Sequence, residues 1–280
     1  MHGSDFIPPI LMRALLQLIE PSRLDFSTTK RDLAGVARLM PRDDENRTFA
    51  RFDPQWEAEP TWNQGSALQR LAAKHKPSKR AHNYIARYAL HFDPIRESVK
   101  SVVEIGVQRP NSLLMWEEYF PNAVVHGIDI DPACKAFAGD RRQVHIGDQK
   151  DVTFLRRFIG QTGGNFDVVI DDGEHSEQAI LTSFAWLFPA LQSHGIYAVE
   201  DLIYTPNARS IFRSLEEHIN YWPRGFPGGD WPYLHEFDQA ATWLDRNIVG
   251  LHFYRYLTII NRGYNPEDNP YLRSERPKTA

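Results

Sequence analysis

The chain has 280 residues, of which 42% are hydrophobic and 24% charged, composition that suits one large domain with an extension or two small domains. A net charge of -4 argues against a nucleic-acid surface or an anionic membrane as the main partner. The single cysteine, Cys134, excludes an intrachain disulfide and fits a reducing compartment. The apolar run Phe6–Leu18 is broken by Pro8-Pro9, has no basic segment before it and is too short to span a bilayer. A cytoplasmic protein without a membrane partner is the expectation.

Residues 1–73 read as a helical extension that packs on the main domain, supports a homo-oligomer or covers the active site. Ile10–Ile19 is its helix, set between Pro8-Pro9 and Pro21. Arg42–Asp53 is a charged connector, and Trp56 and Trp62 either pack or line an entrance. Helices are expected from Gly65 to Lys76 and from Lys79 to Phe92. In the second, Tyr84, Tyr88 and His91 share one face, which reads as core packing.

From Ser101 strands and helices alternate. The strands are Ser101–Ile105, Val124–Ile130, Gln143–Ile146, the run from Phe166, and Ile196–Val199. The helices are Asn111–Phe120, Val152–Ile159 and Ser176–Leu191. Such alternation predicts an α/β fold with a parallel sheet and right-handed crossovers. Ile211–Ile219 reads as a helix and the Pro/Gly/aromatic stretch Trp222–Leu234 as a lid loop or a packed surface loop. Val249–Tyr256 and Leu257–Ile260 read as closing strands, the domain as residues 74–263, and 264–280 as an irregular tail.

The chemistry concentrates at the ends of the strands. Val168, Val169 and Ile170 form a buried apolar run that stops on Asp171-Asp172-Gly173-Glu174-His175. A second acidic doublet, Glu200-Asp201, ends the next strand. Acids at the carboxyl end of a buried strand are costly unless they bind something, and that edge is where α/β sheets take ligands. The two doublets are expected to face one another across adjacent strand ends, ~4.8 Å apart, and to hold a hard divalent cation, magnesium first. The competing reading makes Asp172 the cap of the following helix. His82, His126, His145, His218, His235 and His252 lack ligand spacing and read as structural.

A nucleoside half lies beside this. Glu104-Ile105-Gly106 closes the first strand, and the glycine allows close approach to the backbone. Asp129 at the end of the second strand is placed to accept from ribose hydroxyls. Asp148-Gln149 at the end of the third can meet an adenine amine. The stretch after Gly106, Val-Gln-Arg-Pro-Asn-Ser, lacks the later glycines of a pyrophosphate cradle. That speaks against a nicotinamide dehydrogenase and leaves room for S-adenosylmethionine.

With these residues the chain resembles class I S-adenosylmethionine-dependent methyltransferases, and within them the metal-dependent sugar O-methyltransferases of macrolide and glycoside biosynthesis. The resemblance rests on Glu104-Ile-Gly106-Val107, Ser112–Trp116, Gly127-Ile-Asp129-Ile-Asp131, Asp171–His175, Ser183-Phe184, Leu187-Phe188-Pro189 and Glu200-Asp201-Leu202, across residues 79 to 263. It implies a Rossmann-like methyltransferase sheet with an antiparallel C-terminal strand. Asp172, Glu200 and Asp201 would be metal ligands and His175 the general base. Glu104, Gly106, Ser112, Asp129, Asp148, Gln149 and Asp171 would bind S-adenosylmethionine, and the acceptor would be a small-molecule glycoside. The alternatives are a metal-independent small-molecule methyltransferase and a non-catalytic binding module, the latter suggested by Arg109-Pro110-Asn111 where the family has more glycine.

Overall fold

The structure, a computed structural model, describes residues 65–203, 205–219 and 243–265. The expected features at Ile10–Ile19, Arg42–Asp53, Trp56, Trp62, Trp222–Leu234 and His235, and most of the C-terminal tail, lie outside those residues.

Strands β1 (Ser101–Ile105), β2 (Val124–Asp129), β3 (Arg142–Ile146), β4 (Phe166–Asp171), β5 (Leu191–Val199), β6 (Ile248–Phe253) and β7 (Thr258–Arg262) make one sheet in the order β3-β2-β1-β4-β5-β7-β6. The first five run parallel, while β7 lies antiparallel to both β5 and β6. The expected architecture is thus present, with a C-terminal hairpin whose last strand inserts beside β5.

Both faces of the sheet are covered, which is why its central strands are apolar throughout instead of alternating. Val102, Val168, Ile170 and Ala198 face one core with Tyr88, Phe92, Trp116 and Phe120. Val103, Val169, Tyr197 and Val199 face the other with Phe154, Phe158, Phe184 and Phe212. The helices are α1 (Ala67–His75), α2 (Tyr84–Phe92), α3 (Asn111–Tyr119), α4 (Val152–Thr162), α5 (Glu177–Leu187), α6 (Pro206–Ser214), α7 (Glu216–Ile219) and α8 (Trp243–Asn247). Short polar side chains start several of them: Ser66 accepts from the Gln69 amide, Asp151 from Thr153 and Ser176 from Ala179.

Four boundaries differ from expectation for identifiable reasons. The helix expected over Lys79–Phe92 is split: Ser78–Arg80 forms a 3-10 turn, Asn83 takes φ +58°, and only then does α2 begin. That break turns Lys79 inward. The helix expected over Ser176–Leu191 ends at Leu187, because β5 already starts at Leu191 and carries an exposed stretch, Gln192–His194. Helix α6 starts at Pro206, five residues earlier than expected, since proline needs no amide partner at a first turn. In the hairpin, the Tyr254 amide donates to the Leu257 carbonyl and Tyr256 takes φ +66°, placing the turn where strand was expected. Helix α1 runs across residues 73 and 74, and its Lys74 and His75 both meet Glu118 of α3.

The chain passes from β1 outward to β2 and β3 and returns on the other side at β4. The carboxyl ends of β1 and β4 therefore flank the crevice where such sheets bind ligands. No helix among the described residues is long and apolar enough to cross a membrane.

On the β2–β3 face, His126 and His145 lie against Phe158, and His126 also against Phe166. Burial, then the neighbouring His145, lowers the His126 pKa from 6.5 to about 4; burial also lowers His145. A histidine depressed in the folded state costs stability as pH falls below its unfolded value. Stability should therefore drop between pH 6.5 and about 4, by on the order of 2 kcal/mol from His126. Denaturant unfolding of His126→Phe across that window should show a shallower slope than the parent; an unchanged slope would contradict this.

Candidate active site

A cavity of about 730 Å³ opens at the carboxyl edge of the sheet. One end is lined by Gly106, Ser112, Asp129, Asp148 and Gln149, the other by Asp172, His175, Glu200 and Asp201, with Lys76–Ser78 and His82 along the wall. Its size is that of a small-molecule site.

At the Asp129 end, Asp129 Oδ2 accepts from the amides of Val107 and Gln108 at 2.9 and 2.8 Å, and Oδ1 from the Asp131 amide at 2.8 Å. The acid thus shapes the turn after β1 and also borders the cavity. Asp148 accepts from the Lys150 amide at 2.8 Å. Gln149 is spent on the protein: Nε2 donates to Asp171 Oδ1 at 3.1 Å and Oε1 accepts from the Glu174 amide at 2.8 Å.

Glu104 and Asp171 lie under the cavity floor, at 0% and 1% exposure, and neither lines it. Glu104 accepts from Ser112 Oγ at 2.7 Å and Trp116 Nε1 at 3.2 Å. Asp171 accepts from Ser183 and, at 3.3 Å, from the Tyr197 hydroxyl. Burial raises its pKa to about 6 against the opposing hydrogen bonds of Ser183 and Gln149. Through these partners Glu104 anchors α3, and Asp171 anchors α5 and the Gln149 loop, beside the cavity.

Gly106 has a specific packing role. It sits at φ +87°, and a Cβ there would lie 2.0 Å from the Asp172 carbonyl oxygen. Gly173 is equally tight, its Cβ position being 1.9 Å from Gln149 Oε1. The glycine after β1 therefore lets the Asp172–Gly173 backbone approach, which ties the turn after β1 to the acidic end of the cavity.

At the acidic end, β4 pairs with β5 through Asp171 and Val199, so Asp172 and Glu200 leave adjacent strand ends. Asp172 Oδ1 lies 3.6 Å from His175 Nε2, and Asp201 Oδ2 lies 3.9 Å from the same nitrogen. One ligand atom each from Asp172, His175 and Asp201 falls within 4.8 Å of the others. Glu200, 2% exposed, reaches the same edge from below: its Oε1 accepts from Tyr88 at 2.5 Å and lies 2.8 Å from Lys79 Nζ. Burial, then Asp172, pushes its pKa up, with Lys79 and Tyr88 opposing. His175 and Asp201 hold φ of +57° and +53°, and Gln108 +48°. Non-glycine residues adopt this region at a cost of roughly 1–2 kcal/mol each, and such strain collects at functional sites.

Three contributors were not singled out as site residues by sequence. Lys79 is 1% exposed, with Nζ 2.5 Å from Asp172 Oδ2 and 3.0 Å from Glu104 Oε1. Tyr84 donates to Asp201 Oδ1 at 2.6 Å, and Tyr88 to Glu200. Both rings pack in the core as the helical spacing predicts, while their hydroxyls reach the acids. His91, on the same face, meets the Tyr254 hydroxyl at 2.9 Å instead. His82, read as structural, borders the cavity and stands 4.0 Å from Asp201 Oδ1.

The donor set suits a hard cation. Protein donors occupy Oδ2 of Asp172 and Oδ1 of Asp201, and their other oxygens both face His175 Nε2 with no thiolate nearby, while Glu200, expected as a third ligand, borders the cavity outside this cluster. Gly106→Ala should disrupt this edge, costing about 2 kcal/mol or more in urea unfolding. A variant as stable as the parent would show that the contact with Asp172 is not needed.

No protein-family model matches the chain. It is 33% identical over 226 residues to the 8-demethyl-8-(2-methoxy-alpha-L-rhamnosyl)-tetracenomycin-C 3'-O-methyltransferase of Streptomyces olivaceus, covering 71% of this chain and 55% of that protein. It is 33% identical over 209 residues to the mycinamicin VI 2''-O-methyltransferase of Micromonospora griseorubida, covering 66% and 49%. The chain spans about half the length of the curated relatives it matches. Among solved structures, the methyltransferase MycE of mycinamycin biosynthesis, in complex with Mg, S-adenosylhomocysteine (SAH) and mycinamycin VI, aligns with a TM-score of 0.61 at 30% identity, over 73% of this chain and 55% of that one. Sheet order, cavity position and these matches together place the chain in the class I methyltransferase fold, as a relative of the sugar O-methyltransferases of macrolide and tetracenomycin biosynthesis.

Proposed function

We propose that this chain is an S-adenosylmethionine-dependent, magnesium-assisted O-methyltransferase acting on a sugar hydroxyl of a glycosylated natural product. The observation that carries the reading is the approach of Asp172, Asp201 and His175 to one point at the end of a cavity whose other end presents Asp129 and Asp148.

In this reading Asp129 accepts from the ribose hydroxyls and Asp148 from the adenine amine, while Ser112 borders the same end of the cavity. Glu104, Gln149 and Asp171 hold the loops from behind. Asp172, Glu200 and Asp201 would hold the ion, which polarises a bound hydroxyl and orients a vicinal pair. His175 takes the proton of the reacting hydroxyl as its oxygen bonds the methyl carbon, and the sulfonium carbon–sulfur bond breaks to give S-adenosylhomocysteine. General-base help of this kind is worth ~100- to 10,000-fold, and positioning the oxygen in line with the methyl adds to it.

Incubation with radiolabelled S-adenosylmethionine and a panel of rhamnosyl and macrolide glycosides tests the proposal. Label should enter the sugar, stop with chelator and return with magnesium. Transfer that ignores chelator would remove the ion, and absence of calorimetric heat with S-adenosylhomocysteine would remove the activity. His175→Ala should lower kcat by ~100-fold or more with little change in S-adenosylhomocysteine affinity. A kcat within threefold of the parent would take the base role from it.

A further inference from the structure

An ammonium group leaves water only at high cost, so a fully buried lysine needs strong compensation. Lys79 has it from three directions: Asp172 Oδ2 at 2.5 Å, Glu200 Oε1 at 2.8 Å and Glu104 Oε1 at 3.0 Å. These acids come from the ends of β4, β5 and β1, and their oxygens surround one point as they would surround a hard metal ion at slightly longer range. Asp172 turns its second oxygen the other way, to within 3.6 Å of His175 at the cavity. Its carboxylate therefore spans two cation positions, an inner one filled by the ammonium and an outer one facing the cavity.

We propose that Lys79 is a built-in cation, occupying the inner of two carboxylate-bridged positions, keeping exchangeable ions out of it and thereby fixing Asp172 and Glu200 for the outer one. The outer position rests on the metal-assisted function proposed above; the inner one stands on the contacts of Lys79 alone. A tethered ammonium cannot leave with product, so the buried acids stay compensated whether or not the outer ion is present. Lys79 is in this sense a positioning residue, two of whose three acids border the cavity.

The test is the number of Mn2+ ions bound per chain, from titration of the full chain followed by the electron paramagnetic resonance of free ion. Lys79→Ala should bind one ion more than the parent, and its unfolding temperature should rise further with added Mn2+. Lys79→Arg, which keeps the charge, should gain none. Lys79→Ala combined with Glu104→Gln withdraws one buried acid along with the ammonium, so it should fold without added metal and lose the extra ion. Equal stoichiometry in the parent and Lys79→Ala would overturn the proposal. So would an extra ion that survives Glu104→Gln, or a Lys79→Ala chain that stays unfolded in Mn2+. A parent that binds no ion beside a Lys79→Ala chain that binds one would remove the outer metal and leave the inner position standing.

Discussion

Three acids meet at the carboxyl edge of this sheet around one ammonium, whose charge makes their company tolerable. Glu104 and Glu200 are almost wholly out of water, and Asp172 is close to both through Lys79. Buried carboxylates without a counter-charge would be expelled, neutralised or left to unfold the edge. The surrounding chain follows from that constraint. The 3-10 turn before α2 delivers Lys79, and α2 delivers the hydroxyls of Tyr84 and Tyr88 from one face. A segment that leads into the sheet thus also completes the acidic end of the site.

The same edge is held by close packing at two glycines. Gly106 and Gly173 accept the Asp172 carbonyl and the Gln149 amide where any side chain would collide. Asp171, Ser183, Tyr197 and Gln149 form a buried network underneath. Left-handed backbone at Gln108, His175 and Asp201 is then held in place by its neighbours. The Asp129 end and the acidic end of the cavity are two sides of one packed unit.

Much of this was legible in the sequence because the signals are local. Apolar β-branched runs ending in acids marked β4 and β5, and the spacing of Gly106 from Asp129 marked the first crossover. What escaped was carried by contacts distant in the chain. Lys79 lies 93 positions from Asp172, and nothing in Pro-Ser-Lys-Arg separates a buried lysine from a solvated one. Tyr84 and Tyr88 were legible as core rings, but not the acids at their far ends. Conversely, Glu104 and Asp171 are cofactor contacts by the family resemblance, yet both lie buried beneath the cavity. Strand alternation points them into the protein, where they brace the residues that do border it.

The proposed function puts oxygens of Asp172, Glu200 and Asp201 around one ion at the acidic end of the cavity. It is tested most directly by a crystal structure grown with Mn2+ and S-adenosylhomocysteine, with data collected to reveal the anomalous signal of manganese. The account predicts one peak ~2.1–2.3 Å from an oxygen of each acid, with His175 beside it and the nucleoside lying over Asp129. A peak elsewhere, or nucleoside density with no metal peak among these acids, would contradict it.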